Sequence, residues 1–351
     1  MKYPAVLNFE TLLPTLDDFD TIIDARSESE FALDHIPGAI NCPVLNDEER
    51  ILVGTTYKQV GSFEAKRVGA PLVARNIARA IETRFADKPR DWKPLVYCWR
   101  GGNRSGSMAL IFAKVGWPVV QLDGGYKAFR GFVNTALDNP PDLDFRVICG
   151  TTGSGKSRLL ETLDGIGAQV LDLEKLAAHR GSVLGHLPGE PQPSQKAFET
   201  RIWDRLRRFD PARPVFVESE SKKVGNLRVP DKVMERMRAA PCIALQLSRP
   251  NRVRLLMEDY EHFAADPAAL NAQLGHLVQL HGHAKIAAWH DMANGGRMPE
   301  LVDQLLVEHY DPAYLRSIDR NFVQYPQAAV VELSGIGQED FLAAARQLHA
   351  A

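Results

Sequence analysis

Cys98-Trp99-Arg100-Gly101-Gly102-Asn103-Arg104-Ser105 combines a thiol, two guanidinium groups and two glycines in eight consecutive residues. The β-like run Pro94-Leu95-Val96-Tyr97 delivers Cys98 to this turn, and the apolar run Met108-Ala109-Leu110-Ile111-Phe112-Ala113 reads as the helix that leaves it. A strand–turn–helix unit aims successive backbone N–H groups into one concave loop, a ready cradle for an anion. Gly101 and Gly102 permit backbone angles that a side chain forbids, and Asn103 and Ser105 complete the cradle. Arg104 adds a fixed positive charge at the far end of the loop, and a thiol in that field favours its nucleophilic thiolate form. The chemistry is that of an anion cradle with a nucleophilic sulfur at its edge. A buried core cysteine is the plain alternative, but it leaves the coincidence of Cys, Gly-Gly and Arg-Ser at one turn unexplained.

A second stretch has a different chemistry. Gly150-Thr151-Thr152-Gly153-Ser154-Gly155-Lys156-Ser157 follows the strand-like Phe145-Arg146-Val147-Ile148-Cys149 and precedes the helical Arg158-Leu159-Leu160-Glu161-Thr162-Leu163. This is the G-x-x-x-x-G-K-S phosphate-binding loop in the strand–loop–helix context it requires. Gly150, Gly153 and Gly155 let backbone N–H groups wrap a phosphate chain, Lys156 supplies a point charge, and Ser157 is a candidate Mg²⁺ ligand. No metal ligand set is certain. Glu218 and Glu220, just after the strand-like Pro214-Val215-Phe216-Val217, either orient a metal or water or form a structural ion pair. His179-Arg180-Gly181-Ser182 is a loop that meets phosphate or RNA, or is solvated charge.

These residues need elements to hold them. Strands are expected at Thr21–Asp24, into Cys42, at Pro94–Tyr97, Val119–Leu122, Phe145–Cys149, Gln169–Leu173, Pro214–Glu218, Ile243–Leu247 and Ala329–Leu333. Helices are expected around Leu72–Ile81, Val253–Phe263, Leu270–Ile286, Pro299–Val307 and from Glu339. Strands alternating with helices imply α/β architecture with parallel sheets. The turn-rich Asp138-Asn139-Pro140-Pro141-Asp142 divides an N-terminal domain, residues 10–135, from a C-terminal P-loop domain with helical additions, residues 145–351, through a linker over 136–144.

Composition narrows the setting. The chain has 351 residues, 45% of them hydrophobic and 25% charged, as expected for two soluble globular domains. No apolar run is long enough for a bilayer span, and the acidic N-terminus lacks a signal-peptide core, so no membrane partner is expected. Cys42, Cys98, Cys149 and Cys242 are widely spaced, which argues against a disulfide framework and points to reducing cytoplasm. Cys42 and Cys149 read as core. The net charge of −2 advertises no nucleic acid, yet Arg201–Arg254 holds 14 positive and 6 negative residues. That segment, with Arg205, Arg207, Arg208, Lys222 and Lys223 as candidates, is either a phosphate-backbone footprint or ordinary helix surface.

Asp24-Ala25-Arg26-Ser27 with Glu30-Phe31, His35-Ile36-Pro37-Gly38-Ala39-Ile40-Asn41, the Cys98 loop and Leu122-Asp123-Gly124-Gly125 occur in the order of the rhodanese family, which residues 10–135 resemble. In that family the loop cysteine carries a persulfide or related adduct. The spacing from Cys98 to Arg104 is one residue longer than the usual sulfurtransferase loop, a wider cradle that suits a tetrahedral anion. Asp24, Arg26 and His35 read as turn and cap residues.

With the Gly150–Ser157 loop, His179-Arg180-Gly181-Ser182 and Glu218-Ser219-Glu220-Ser221 following in order, nearly the whole chain resembles the tRNA 2-selenouridine synthase family. The resemblance implies a tRNA partner carrying 2-thiouridine at the wobble position. It implies S-geranylation from geranyl diphosphate, then replacement of the S-geranyl group by selenium from selenophosphate. Both donors are co-substrates, with no tightly bound cofactor. Cys98 would carry an S-selanyl adduct, Arg100 and Arg104 would attract selenophosphate, and Lys156 and Ser157 would hold the diphosphate. A selenophosphate-supplying enzyme is a further expected partner. Two other functions fit the residues: an ATP-dependent P-loop kinase fused to a rhodanese or phosphatase-like domain, and a binding module with an inert cradle.

Overall fold

The computed structural model describes residues 3–182, 185, 189–261 and 266–350. Two compact units emerge: Met1–Leu137 with Pro193–Asp204, and Asp138–Gln192 with Arg205–Ala351. The second domain is therefore not continuous from residue 145, as the sequence had suggested. The helix Gln195–Leu206 lies largely in the first unit, because its apolar and polar faces both match that unit's surface. Trp203 meets Phe9, Phe129 and Phe132 at ring-centroid distances of 5.9, 5.6 and 6.1 Å. Thr200 donates to the buried Asp34 carboxylate (3.0 Å), which also accepts from the Tyr126 hydroxyl (2.8 Å), and Glu199 pairs with Arg130.

The first unit is built on strands β1 (Ala5–Leu7), β2 (Thr21–Asp24), β3 (Ala39–Asn41), β4 (Pro94–Tyr97) and β5 (Val120–Leu122). They form a parallel sheet in the order β1-β5-β4-β2-β3. All four residues of β4 are buried, as a central strand covered on both faces requires. Helices Asp47–Gln59, Ser62–Arg84, Asn103–Val115 and Gly125–Asp138 complete the unit. Asp24 and Arg26 form a buried pair (2.6 Å), and the same guanidinium donates to the Asp34 carbonyl (2.7 Å) and lies over the Tyr126 ring. His35 bonds the Phe31 carbonyl through Nδ1 (2.9 Å) and stacks on the Phe31 ring. These contacts tie the turn before β3 to the strand floor.

In the second unit, β6 (Phe145–Cys149), β7 (Gln169–Leu171), β8 (Val215–Glu218), β11 (Cys242–Leu247) and β12 (Ala329–Leu333) form a parallel sheet in the order β12-β11-β6-β8-β7. Strands β9 (Lys223–Val224) and β10 (Leu227–Arg228) make a small antiparallel hairpin. The expected strand through Leu173 stops at Leu171, because Asp172 caps the short helix Leu173–Ala177 by accepting from the Lys175 N–H. The helix expected over Leu270–Ile286 is interrupted. It is Pro267–Gly275, Val278–His281 and His283–Asn294, with Gly282 at φ +78° turning the chain. The helix Arg249–Asp259 replaces the expected Val253–Phe263, whose end at Phe263 lies outside the described residues. No described helix is long and apolar enough to cross a membrane.

Candidate active sites

Cys98 follows β4 directly and is 2% exposed. Gly101 and Gly102, at φ +71° and +70°, turn the chain into the helix Asn103–Val115. The Ser105 hydroxyl, in the first turn of that helix, donates to Cys98 Sγ (3.2 Å) and accepts from Gln121 Nε2 (3.4 Å). The Cys98 carbonyl accepts from the Tyr126 N–H (2.7 Å) and that of Trp99 from the Lys127 N–H (3.0 Å), which pins the loop to the helix Gly125–Asp138. Trp99 is exposed and stacks on Tyr126. Arg100 and Asn103 are also exposed.

Arg104 differs from its expected place as a free charge on the cradle. Its guanidinium is taken by the Glu30 carboxylate (2.6 and 3.3 Å), with Arg50 a further 3.8 Å neighbour of Glu30. Burial alone would raise the Glu30 carboxyl; the Arg104 guanidinium outweighs it and holds that carboxyl below its usual range. Glu30 carried no sequence signal of this role beyond its place in the helix cap with Ser27.

The Gly150–Gly155 loop joins β6 to the helix Lys156–Gly165, with Gly153 and Gly155 at positive φ. Lys156 Nζ donates to the Gly150 carbonyl (2.6 Å) and sits 4.9 Å from the Tyr314 ring centre. The Tyr314 hydroxyl accepts from the Gly150 N–H (2.9 Å) and shares a 2.5 Å hydrogen bond with the Ser219 hydroxyl. Arg252, 7% exposed, donates to the Thr152 carbonyl (3.0 and 2.8 Å) and pairs with Asp311. These two side chains, from helices far along the chain, brace the loop, and no local pattern in the sequence marked them.

An acidic cluster stands beside the loop. The Ser157 hydroxyl donates to Glu174 Oε2 (2.8 Å), and Glu218 Oε1 accepts from the Glu174 N–H (2.8 Å), while Glu218 Oε2 is buried with no hydrogen-bond partner. Burial, reinforced by the neighbouring carboxylates, raises Glu218 and Glu220 well above the usual carboxyl range and pushes Asp172 up to about 6. Arg180, Gly181, Ser182 and Glu220 line the cleft over the loop. His179 instead is buried and accepts from the Gly181 N–H through Nδ1 (3.1 Å). Among the described residues no three acidic, His or Cys side chains converge as a metal cage.

The positive excess of Arg201–Arg254 is smaller in space than in sequence. Arg205 pairs with Asp164, Arg236 with Asp142, Arg249 with Asp303 and Arg252 with Asp311, all acids from outside the segment, and Lys222 pairs with Asp231 within it. Arg208 and Lys223 are exposed and Arg207 is half-buried.

Fold and loops together define a rhodanese-like domain joined to a P-loop domain. Residues 9–131 match the model of the rhodanese-like domain, and residues 143–276 match that of the tRNA 2-selenouridine synthase AAA domain. The chain is 32% identical to the tRNA 2-selenouridine synthase of Aeromonas salmonicida over 86% of its own length and 87% of that protein. It is 31% identical to that of Bordetella bronchiseptica over 91% and 92%. With that of Nitrosomonas europaea it shares 37% identity over 68% of this chain and 63% of the relative. The chain belongs to the tRNA 2-selenouridine synthase family.

Proposed function

We propose that this protein converts wobble 2-thiouridine of tRNA to 2-selenouridine by way of S-geranyl-2-thiouridine, using geranyl diphosphate and selenophosphate. The observation that carries the reading is the presence, in one chain, of two strand-to-helix anion loops of different chemistry: one begins with the buried thiol of Cys98 and the other ends with Lys156. Relatives named tRNA 2-selenouridine synthase support the overall reaction. Cys98 Sγ attacks the phosphorus of selenophosphate, so that the P–Se bond breaks and the phosphoryl group passes to sulfur. The selenide released replaces the S-geranyl group, which leaves as geranylthiol. Water frees Cys98 by releasing phosphate beside Arg100, with Arg104 acting through its pair with Glu30. An S-selanyl form of Cys98 would instead require a two-electron oxidant. Gly101, Gly102, Asn103 and Ser105 frame that cradle. Trp99, exposed next to Cys98, is a platform on which a nucleobase can stack.

Gly150, Gly153, Gly155, Lys156 and Ser157 hold the diphosphate of the prenyl donor. Magnesium at such a loop draws on a hydroxyl, an acid and phosphate oxygens; Ser157 with Glu174, and Glu218 or Glu220 behind them, supply oxygen donors of that hard type. It would neutralise diphosphate charge. A selenophosphate-supplying enzyme is the expected partner. All four cysteines are free and buried, in keeping with a reducing cytoplasm.

Mass spectrometry of wobble nucleosides tests the reading. Cells lacking the protein should hold 2-thiouridine and no 2-selenouridine, and its return should restore the selenated nucleoside; ATP hydrolysis dependent on tRNA, with no new nucleoside, would favour the kinase instead. For the tRNA footprint, Arg207, Arg208 and Lys223, exposed or half-buried, are the residues to neutralise together. Replacing all three by Ala should lower the slope of log affinity against log salt by about 2–3. An unchanged slope would place the footprint elsewhere.

A further inference from the structure

The turn His179-Arg180-Gly181-Ser182 holds one side chain over the phosphate-binding loop. The chain leaves the helix Leu173–Ala177 through Ala178, the one non-glycine residue at positive φ among those described (+49°). That backbone is disfavoured for a residue with a Cβ, so the surrounding contacts must fix it. The buried His179 ring is the anchor. A Cβ on Gly185 would lie 2.9 Å from its Cε1, and one on Gly225 would lie 2.8 Å from its Cδ2, so the chain closes on the ring from two sides. The Arg180 N–H donates to the Gly185 carbonyl (2.8 Å) and the Ser182 N–H to the Arg180 carbonyl (2.7 Å). Gly181, at φ +66°, passes directly over the acids: a Cβ on it would lie 2.6 Å from Glu220 Oε1 and 2.7 Å from Glu174 Oε1. A turn fixed in this way sets Arg180 on the wall of the cleft that Lys156 and Ser157 also line.

Lys156, Arg158 and Arg180 bring positive charge to that cleft. Arg158 is taken by the carboxylates of Glu258 (3.0 Å) and Asp259 (2.7 Å). Arg180 instead donates to the Asp259 main-chain carbonyl (2.5 Å) and lies 4.8 Å from the Tyr260 ring centre, and among the described residues no carboxylate pairs with it. A carbonyl and an aromatic face hold a guanidinium in place without neutralising it, and leave N–H donors for a further acceptor. We propose that Arg180 is a catalytic residue of prenyl transfer, which with Lys156 grips the diphosphate and takes up the charge that appears on it as it leaves. The inference rests on the prenyl-donor reading above. In that step the 2-thiouridine sulfur bonds C1 of the prenyl group. The C1–O bond breaks with its electron pair leaving on the diphosphate, and the N3 proton of the base passes to water. Charge on the leaving oxygen grows only as that bond breaks, so a planar fork of donors there binds the transition state more tightly than the ground state.

The test is steady-state kinetics of S-geranyl-2-thiouridine formation by the full-length protein from 2-thiouridine tRNA and geranyl diphosphate. Wild type is compared with Arg180→Gln and Arg180→Lys. Glutamine can still donate to the Asp259 carbonyl and pack on Tyr260, but it carries no charge. It should lose about 10²–10³ in kcat, with KM for geranyl diphosphate changed by less than about fivefold. Lysine, which returns the charge without the fork, should recover about tenfold over glutamine. Both variants should convert tRNA already geranylated to 2-selenouridine as wild type does. If wild type makes no S-geranyl-2-thiouridine, the prenyl-donor reading fails and this role with it. If wild type geranylates and Arg180→Gln keeps its kcat, the donor reading stands and the Arg180 assignment is overturned. A loss confined to KM, or a lysine variant no faster than the glutamine one, overturns it equally.

Discussion

Cys98→Ser protein will make no 2-selenouridine and will accumulate S-geranyl-2-thiouridine in tRNA. On the proposed mechanism a hydroxyl cannot replace the thiolate that opens selenophosphate, so the loss is of the whole step. The exchange is nearly isosteric at a buried position whose neighbour Ser105 bonds a hydroxyl as readily as a thiol, so the first unit should keep its fold. On the proposed division of work geranylation belongs to the Gly150–Ser157 loop and not to Cys98, so it should proceed at the wild-type rate. Nucleoside mass spectrometry of tRNA incubated with the variant, geranyl diphosphate and selenophosphate reads both outcomes at once. Normal selenation by this variant would remove Cys98 from the mechanism.

The opposite pattern is expected of Lys156→Ala. Losing one charge-assisted contact to phosphate costs about 1.5–3 kcal/mol, roughly ten- to a hundredfold in binding or rate. The variant should be that much poorer at making S-geranyl-2-thiouridine from 2-thiouridine. Supplied with tRNA already geranylated and with selenophosphate, it should deliver selenium as wild type does. The lysine also bonds the Gly150 carbonyl, so the melting temperature of the variant is measured alongside. Equal failure on both starting tRNAs, in a protein that melts normally, would show that the two loops do not divide the work.

Much of the sheet framework was legible because parallel strands buried on both faces appear as short, unbroken apolar runs ended by glycine or acidic residues. Pro94–Tyr97 and Phe145–Cys149 have the bounds their residues suggest, and so does the largely exposed edge strand Ala329–Leu333, which was read from its apolar residues alone. Helical tracts were harder to read. Leu270–Ile286 has enough apolar residues for one helix, yet the chain breaks after Gly275 and again at Gly282, where φ is +78°. Leu173 continues an apolar run, but the Asp172 side chain offers the backbone a helix cap instead.

The two loops were readable from spacing, since their glycines, thiol and lysine are contiguous. What surrounds them was not. Arg104 meets Glu30, and Arg252 and Tyr314 reach the Gly150–Gly155 loop from far downstream. Charge counting within the segment overstated its excess for the same reason: the acids that pair with Arg205, Arg236, Arg249 and Arg252 lie elsewhere in the chain.

The helix Gln195–Leu206 has a consequence for how the chain comes to be folded. Synthesis completes the first sheet early, yet the surface around Phe9, Phe129 and Phe132, and the buried Asp34 and Arg130, wait for Thr200, Glu199 and Trp203. Until Asp204 has left the ribosome, the nascent first unit carries an uncovered aromatic patch and an incomplete polar network, the kind of surface that recruits chaperones or drives association. By then the phosphate-binding loop has been made, though β8, β11 and β12 of its sheet have not. A gene cut at the apparent boundary near Leu137 would release a fragment fixed in that unfinished state, so the N-terminal half should be soluble only when the helix is grafted back onto it.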